Sequence, residues 1–204
     1  MRKVRIAVLV SGGGTNLGAL INAEKDGILK SGEIVLVVSN KNDAYALTRA
    51  KENGIKTEIV LSKNKAQKDF EKQLTAILES ESIELIILAG FMRILSKEFT
   101  DIYKNRIINV HPSLIPSFCG EGFYGLNVHK AALAHGAKIT GATVHFVNEI
   151  PDGGEIIMQK AVEIDKDYTP EELQTKVMRE AEWIILPLSA EKVCKQMLGE
   201  NYYD

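Results

Sequence analysis

Apolar positions recur along this chain with two alternating periods. Residues 5–10 (RIAVLV) are a short, nearly continuous apolar run ending at glycines, after which Leu17, Leu20, Ile21 and Ile28 return at helical spacing. Residues 33–38 predict a second strand, 44–53 a helix stopped by Gly54, 57–60 a third strand and about 65–79 a polar helix. Residues 85–88 are apolar on both faces, as a parallel strand between two layers of helices has to be, and 106–110 predict a fifth strand. The alternation predicts an α/β fold: a Rossmann-like, mostly parallel twisted sheet with helices on both faces.

The second half reads differently. A helix is expected at 128–135, followed by two strand-like runs, KITGATVHFV and GEIIMQKAVEI, separated by NEIPDGG. Adjacent runs with a long loop predict a hairpin, hence an antiparallel C-terminal edge on the sheet. Thr169 as N-cap, Pro170 at the first helical position and Glu172 three residues after the cap predict a capped helix, which Pro187 should kink or divide. No linker, repeat or low-complexity stretch interrupts the chain, so residues 1–204 are expected to form one domain.

Composition narrows the partners. The chain has 204 residues, 45% hydrophobic and 25% charged, with a formal net charge of −2, which gives no general attraction to nucleic acid or an anionic membrane. A small molecule is the expected partner. No signal peptide is evident, and no apolar stretch reaches the roughly 20 residues that cross a bilayer. Two cysteines, Cys119 and Cys194, suit a reducing cytosol, so a cytoplasmic location is expected.

Two stretches carry candidate chemistry. SGGGTN, residues 11–16, lies between a strand and a helix, where glycines let the backbone approach an anion and helix-start N–H groups donate to it. It is a poor dinucleotide fingerprint: Leu17 stands where the third glycine belongs, and Ser39, Asn40 and Lys41 follow the second strand in place of an acidic residue. No Gly-Lys-Ser/Thr follows, so a triphosphate loop is excluded too. A phosphate monoester fits better, with Thr15 and Asn16 adding side-chain donors; a tight turn without a ligand is the plain alternative. The second stretch is INVHP, where Asn109 and His111 alternate onto one face at the end of the fifth strand. Ligands of open α/β sheets collect beyond such strand ends. A histidine can hold a proton near neutral pH, and an asparagine amide can donate to a developing oxyanion. Asp152 in the NEIPDGG loop could bend back and favour the imidazolium. Singly, each has an ordinary reading: a turn cap, a strand-end histidine, a turn aspartate. The histidines at 111, 129, 135 and 145 lack zinc-ligand spacing, and His145 reads as a hydrogen-bonded sheet residue.

SGGGTN, VVSNK, LAGFMRIL, INVHPSLIP, TGATVHFV and DGGEII stand in one order over almost the whole chain, and in this the sequence resembles the folate-dependent glycinamide ribonucleotide formyltransferases of purine synthesis. The resemblance implies a catalytic trio of Asn109, His111 and Asp152. It implies a phosphate and ribose site from Gly12, Gly13, Gly14, Thr15, Asn16 and Glu182. It also implies a pterin pocket from Met92, Arg93, Ile94 and Leu95 with Asn148, Glu149, Ile150, Pro151 and Asp152. The co-substrate would be 10-formyltetrahydrofolate, with no metal, and the protein a monomer or weak homodimer. Residues 1–110 would then be the phosphate-binding half, and 111–204 the folate and catalytic half. Two departures stand out. SFCGEGFYGLNVH is longer than the family's usual turn after HPSLIP, and Cys119 within it is either a reactive thiol or a buried inert one. Gln67 falls nearest to a folate-contacting arginine of some members; Lys63, Lys65, Lys68 and Lys72 around it read as a solvated face that a folate glutamate tail would also welcome. The nearest rivals are a formyltetrahydrofolate hydrolase, expected to carry an N-terminal regulatory domain, and a methionyl-tRNA formyltransferase, expected to carry a C-terminal RNA-binding domain. A sugar-phosphate-binding regulator is the rival of a different class.

Overall fold

A computed structural model describes residues 2–200. Its strands are β1 (Val4–Val10), β2 (Gly32–Ser39), β3 (Lys56–Ile59), β4 (Leu85–Leu88), β5 (Ile107–His111), β6 (Ile139–Phe146) and β7 (Ile156–Glu163). They form one sheet in the order β3-β2-β1-β4-β5-β6-β7. The first five pair in parallel, while β5 with β6 and β6 with β7 pair antiparallel. The predicted alternation and the antiparallel edge are both present.

Helices α1 (Thr15–Lys25), α2 (Tyr45–Glu52), α3 (Gln67–Ser80), α4 (Lys97–Ile102), α5 (Leu126–Ala134), α6 (Pro170–Val177) and α7 (Trp183–Leu198) surround the sheet. Successive strand residues face opposite sides, so each central strand feeds two cores. Val8 and Ile87 pack with Leu17, Leu20, Leu47 and Leu186 on one side. Ala7, Leu9 and Leu36 pack with Phe70, Leu74 and Phe99 on the other. Burying each such leucine contributes about 1.5–3 kcal/mol, which is why the strands read as unbroken apolar runs.

Two expectations change. The first helix ends at Lys25, so Ile28 lies beyond it and is 46% exposed instead of continuing the buried stripe. Pro187 sits inside α7, and the break in the long C-terminal helix comes earlier, as a π turn at Met178–Glu182. The predicted cap is complete: the Thr169 hydroxyl accepts from the Glu172 N–H, and the Glu172 carboxylate accepts from the Thr169 N–H.

Candidate active site

Strand order reverses between β1 and β4, with β2 and β3 on one side and β5 on the other. A cavity of about 640 Å³ opens beyond the carboxyl ends of these strands, lined by Thr15 after β1, Gly90 after β4 and Asn109 and His111 of β5. This is where an open α/β sheet gathers its ligands.

Strand pairing sets the polar cluster. Asn109 and His111 lie two apart on β5, and antiparallel register puts His145 directly opposite Asn109. The His145 Nδ1–H donates to the Phe146 carbonyl at 2.8 Å, and its Nε2 lies 3.2 Å from the Asn109 amide nitrogen. Asp152 completes the group from the loop between β6 and β7. Its Oδ2 stands 3.3 Å from His111 Nδ1, and its Oδ1 stands 3.5 Å from His145 Nε2. Asp152 adopts a left-handed φ of 56°, which aspartate tolerates better than most residues. Gly154 follows where a Cβ would lie 1.7 Å from the Phe146 carbonyl oxygen, so only glycine lets the loop turn back here.

Burial pushes the Asp152 carboxyl up, but the rings of His145 and His111 and the Gly120 N–H outweigh it and hold the group below its ordinary value. His111 differs from expectation. Burial lowers its pKa, and the Asp152 carboxylate and the Phe118 carbonyl only partly offset that loss. His129, fully buried behind it, is pushed down to about 4 by burial and by His111.

The long segment after HPSLIP closes over this cluster. His111 Nε2 meets the Phe118 carbonyl oxygen at 2.9 Å, and the Gly120 N–H donates to Asp152 Oδ2 at 2.9 Å. The buried Ser113 hydroxyl holds the segment by donating to the Ser117 and Phe118 carbonyls. Cys119 lies in it, and burial followed by the Asp152 carboxylate raises its thiol pKa, so the thiol stays protonated and is a poor nucleophile.

At the other end of the cavity the glycine loop turns into α1. Gly14 has φ 71°, and a Cβ there would sit 2.6 Å from that of Ala46, whereas nothing lies within 4 Å of a Cβ at Gly12 or Gly13. Of the expected phosphate loop, Thr15 and Asn16 line the cavity, whereas Gly12, Gly13 and Gly14 lie outside its lining. The Asn16 side chain is engaged differently from expectation: its Nδ2 donates to Glu182 Oε2 at 2.8 Å. Burial lifts the Glu182 carboxyl to about 7, and that hydrogen bond only moderates the rise. Met92, Arg93, Ile94, Leu95, Asn148, Ile150 and Pro151 line another part of the cavity with Asp152; Glu149 is exposed and outside the lining.

His145 is the hydrogen-bonded sheet residue that the sequence predicts, but its place in the cluster, like the Phe118 carbonyl and the Gly120 N–H, is not read from the sequence. His145 had one usable signal, its place in an antiparallel run opposite INVH, but its register with Asn109 exists only once the strands pair. Backbone groups carry no sequence signal.

A sheet with a crevice at its switch point, carrying a histidine–carboxylate pair and an asparagine amide, defines an α/β protein of the enzyme type acting on small molecules. More narrowly, the chain belongs to the formyl transferase family, whose model matches residues 4–188. It is 41% identical to phosphoribosylglycinamide formyltransferase of Haemophilus influenzae, over 90% of this chain and 84% of that protein. It is 45% identical to the trifunctional purine biosynthetic protein adenosine-3 of Gallus gallus, over 94% of this chain but only 18% of the relative's length. Against the chloroplastic phosphoribosylglycinamide formyltransferase of Arabidopsis thaliana the chain spans 62% of the relative. Among solved structures, it superposes on the phosphoribosylglycinamide formyltransferase of Coxiella burnetii with a TM-score of 0.87 and 40% identity, covering 96% of this chain and 89% of that one.

Proposed function

We propose that this protein transfers the formyl group of 10-formyltetrahydrofolate to the glycine amine of glycinamide ribonucleotide, releasing tetrahydrofolate, as a step of purine biosynthesis. The observation that carries the reading is one cavity with the Asn109, His111 and Asp152 cluster on one side and the Thr15, Asn16 and Glu182 group on another. Family membership and the names of the relatives support the same reaction.

The ribonucleotide phosphate sits on the backbone N–H groups of Gly12, Gly13 and Gly14 at the start of α1, where the helix end favours an anion. Glu182, held by Asn16, accepts a ribose hydroxyl. The pterin lies between Met92, Arg93, Ile94 and Leu95 on one side and Asn148, Ile150 and Pro151 on the other. One domain serves both substrates, residues 1–110 bearing the phosphate loop and 111–204 most of the catalytic groups.

The amine attacks the formyl carbon, and a tetrahedral oxyanion forms. Asn109 donates one amide hydrogen to it, the other being held by His145. His111 is the second donor, and the Phe118 carbonyl gives up Nε2 as the formyl oxygen takes its place. Nε2 already carries the hydrogen that it gives to the Phe118 carbonyl in the free protein, so the ring donates to the oxyanion without taking up a further proton. The proton lost by the attacking amine passes through a water relay to the departing N10. Each oxyanion donor is worth about 3–4 kcal/mol by analogy with known oxyanion holes. No step calls for a metal ion.

The test is a formyl-transfer assay with both substrates, comparing wild type with His111→Ala. Transfer by wild type, with kcat falling about 10²–10³-fold in the variant, is expected. Tetrahydrofolate release without formylated product would replace the transferase reading with a hydrolase.

A further inference from the structure

The wall formed by Met92, Arg93, Ile94 and Leu95 has no regular secondary structure, yet it has to hold a flat ring in register with the catalytic cluster. A segment of this kind keeps one shape only if other groups take up its backbone donors and acceptors. Here side chains do so at every second residue. The Ser11 hydroxyl accepts from the Met92 N–H at 2.8 Å, Gln67 Nε2 donates to the Ile94 carbonyl at 2.9 Å, and Glu71 Oε1 accepts from the Ser96 N–H at 2.7 Å. Glu71, only 7% exposed, also accepts from the Ser96 hydroxyl and from Gln67.

The Arg93 guanidinium is engaged by groups of the protein itself. Its Nε donates to Gln67 Oε1 at 3.0 Å, and its remaining nitrogens donate to the Ser62 carbonyl at 3.1 Å and the Lys65 carbonyl at 3.5 Å. The guanidinium carbon lies 4.6 Å from the centre of the Phe70 ring. Its planar fork is thus spent on the N-terminal end of α3 and on the loop before it, a use a lysine cannot reproduce. Gln67 is the hub: it receives Arg93 through its oxygen and grips Ile94 and Glu71 through its nitrogen.

We infer that Gln67, Glu71 and the side chain of Arg93 are positioning residues that clamp the 92–96 segment as the wall of the folate pocket, and that Arg93 does not bind the folate through its charge. This rests on the reading of the cavity as the folate site. It gives Gln67, where some relatives are expected to bear a folate-contacting arginine, a separate task.

Steady-state kinetics of Gln67→Met test this. The variant keeps side-chain volume and loses three hydrogen bonds. The expected result is a rise of about tenfold in the KM for 10-formyltetrahydrofolate, equivalent to about 1.4 kcal/mol. The kcat and the KM for the ribonucleotide should stay within twofold of wild type. Arg93→Lys should raise the folate KM by a similar factor despite its retained charge, and the double variant should fall short of the product of the two, as members of one network do. An unchanged folate KM in Gln67→Met would overturn the clamp, as would a lower melting temperature with no change in KM. A wild-type KM in Arg93→Lys would return Arg93 to the role of a charged ligand. Calorimetric titration with tetrahydrofolate separates this from the underlying reading: wild type that binds none sinks the folate site itself, whereas equal binding by wild type and Gln67→Met sinks only the clamp.

Discussion

Burial of Glu182 at the cavity wall lifts its carboxyl from an ordinary 4.5 to about 7, and the Asn16 amide donates a hydrogen bond to it. A raised acid pKa destabilises the fold as pH rises. Below the ordinary value both folded and unfolded chains keep the proton. Between that value and about 7 the unfolded chain gives it up first, so stability falls, and above about 7 the loss is constant. Glu182→Gln removes this penalty while keeping an acceptor for Asn16 Nδ2, and its amide can also donate to the Asn16 oxygen, which is buried without a hydrogen-bond partner among the described residues. Thermal unfolding should show the variant gaining on wild type from pH 5 to pH 8, with little difference near pH 4; a gap that is constant over this range would refute the assignment. The same variant should raise the ribonucleotide KM if the carboxylate reads the ribose.

At the level of elements, the turn from β1 into α1 separates structural from functional glycine. Gly14 is in the left-handed region and packed against Ala46, so an added methyl group meets both backbone strain and overlap. Gly14→Ala should lose about 2–4 kcal/mol of stability in urea unfolding, from about 1–2 kcal/mol of left-handed strain plus overpacking. Gly12→Ala faces open space and should keep its stability within about 0.5 kcal/mol. A phosphate site on these N–H groups predicts that it still raises the ribonucleotide KM; equal stability loss in the two variants would show that the loop serves only as a turn. The segment 117–125 is the other element with a double life. Its carbonyl at Phe118 and N–H at Gly120 satisfy His111 and Asp152 in the free protein.

Over the whole molecule, the candidate site joins parts of the chain far apart in sequence: Asn16 reaches Glu182, and Arg93 reaches back to Ser62. Ligands that bind only this assembled surface stabilise the fold by mass action, by about 2.7 kcal/mol at a hundredfold excess over Kd. For a chain of this size that corresponds to a rise in melting temperature of roughly 5–10 °C. Tetrahydrofolate and the ribonucleotide should each produce such a shift; a shift with neither would remove the cavity from the argument. The strands, the capped helix and the placing of Asn109 and His111 on one face were legible in the sequence, because period and capping are local properties of neighbouring residues. Ile28 and Pro187 misled for the same reason: a periodic position or a proline says nothing about where packing ends a helix or lets a π turn form. Legible, too, was the presence of an asparagine, a histidine and an aspartate that the fold gathers at one cavity. What only the tertiary structure decided was their state. Strand register set His145 against Asn109, a backbone carbonyl came to occupy His111, and burial, which depends on everything packed around the ring, lowered the pKa that a neighbouring carboxylate was expected to raise.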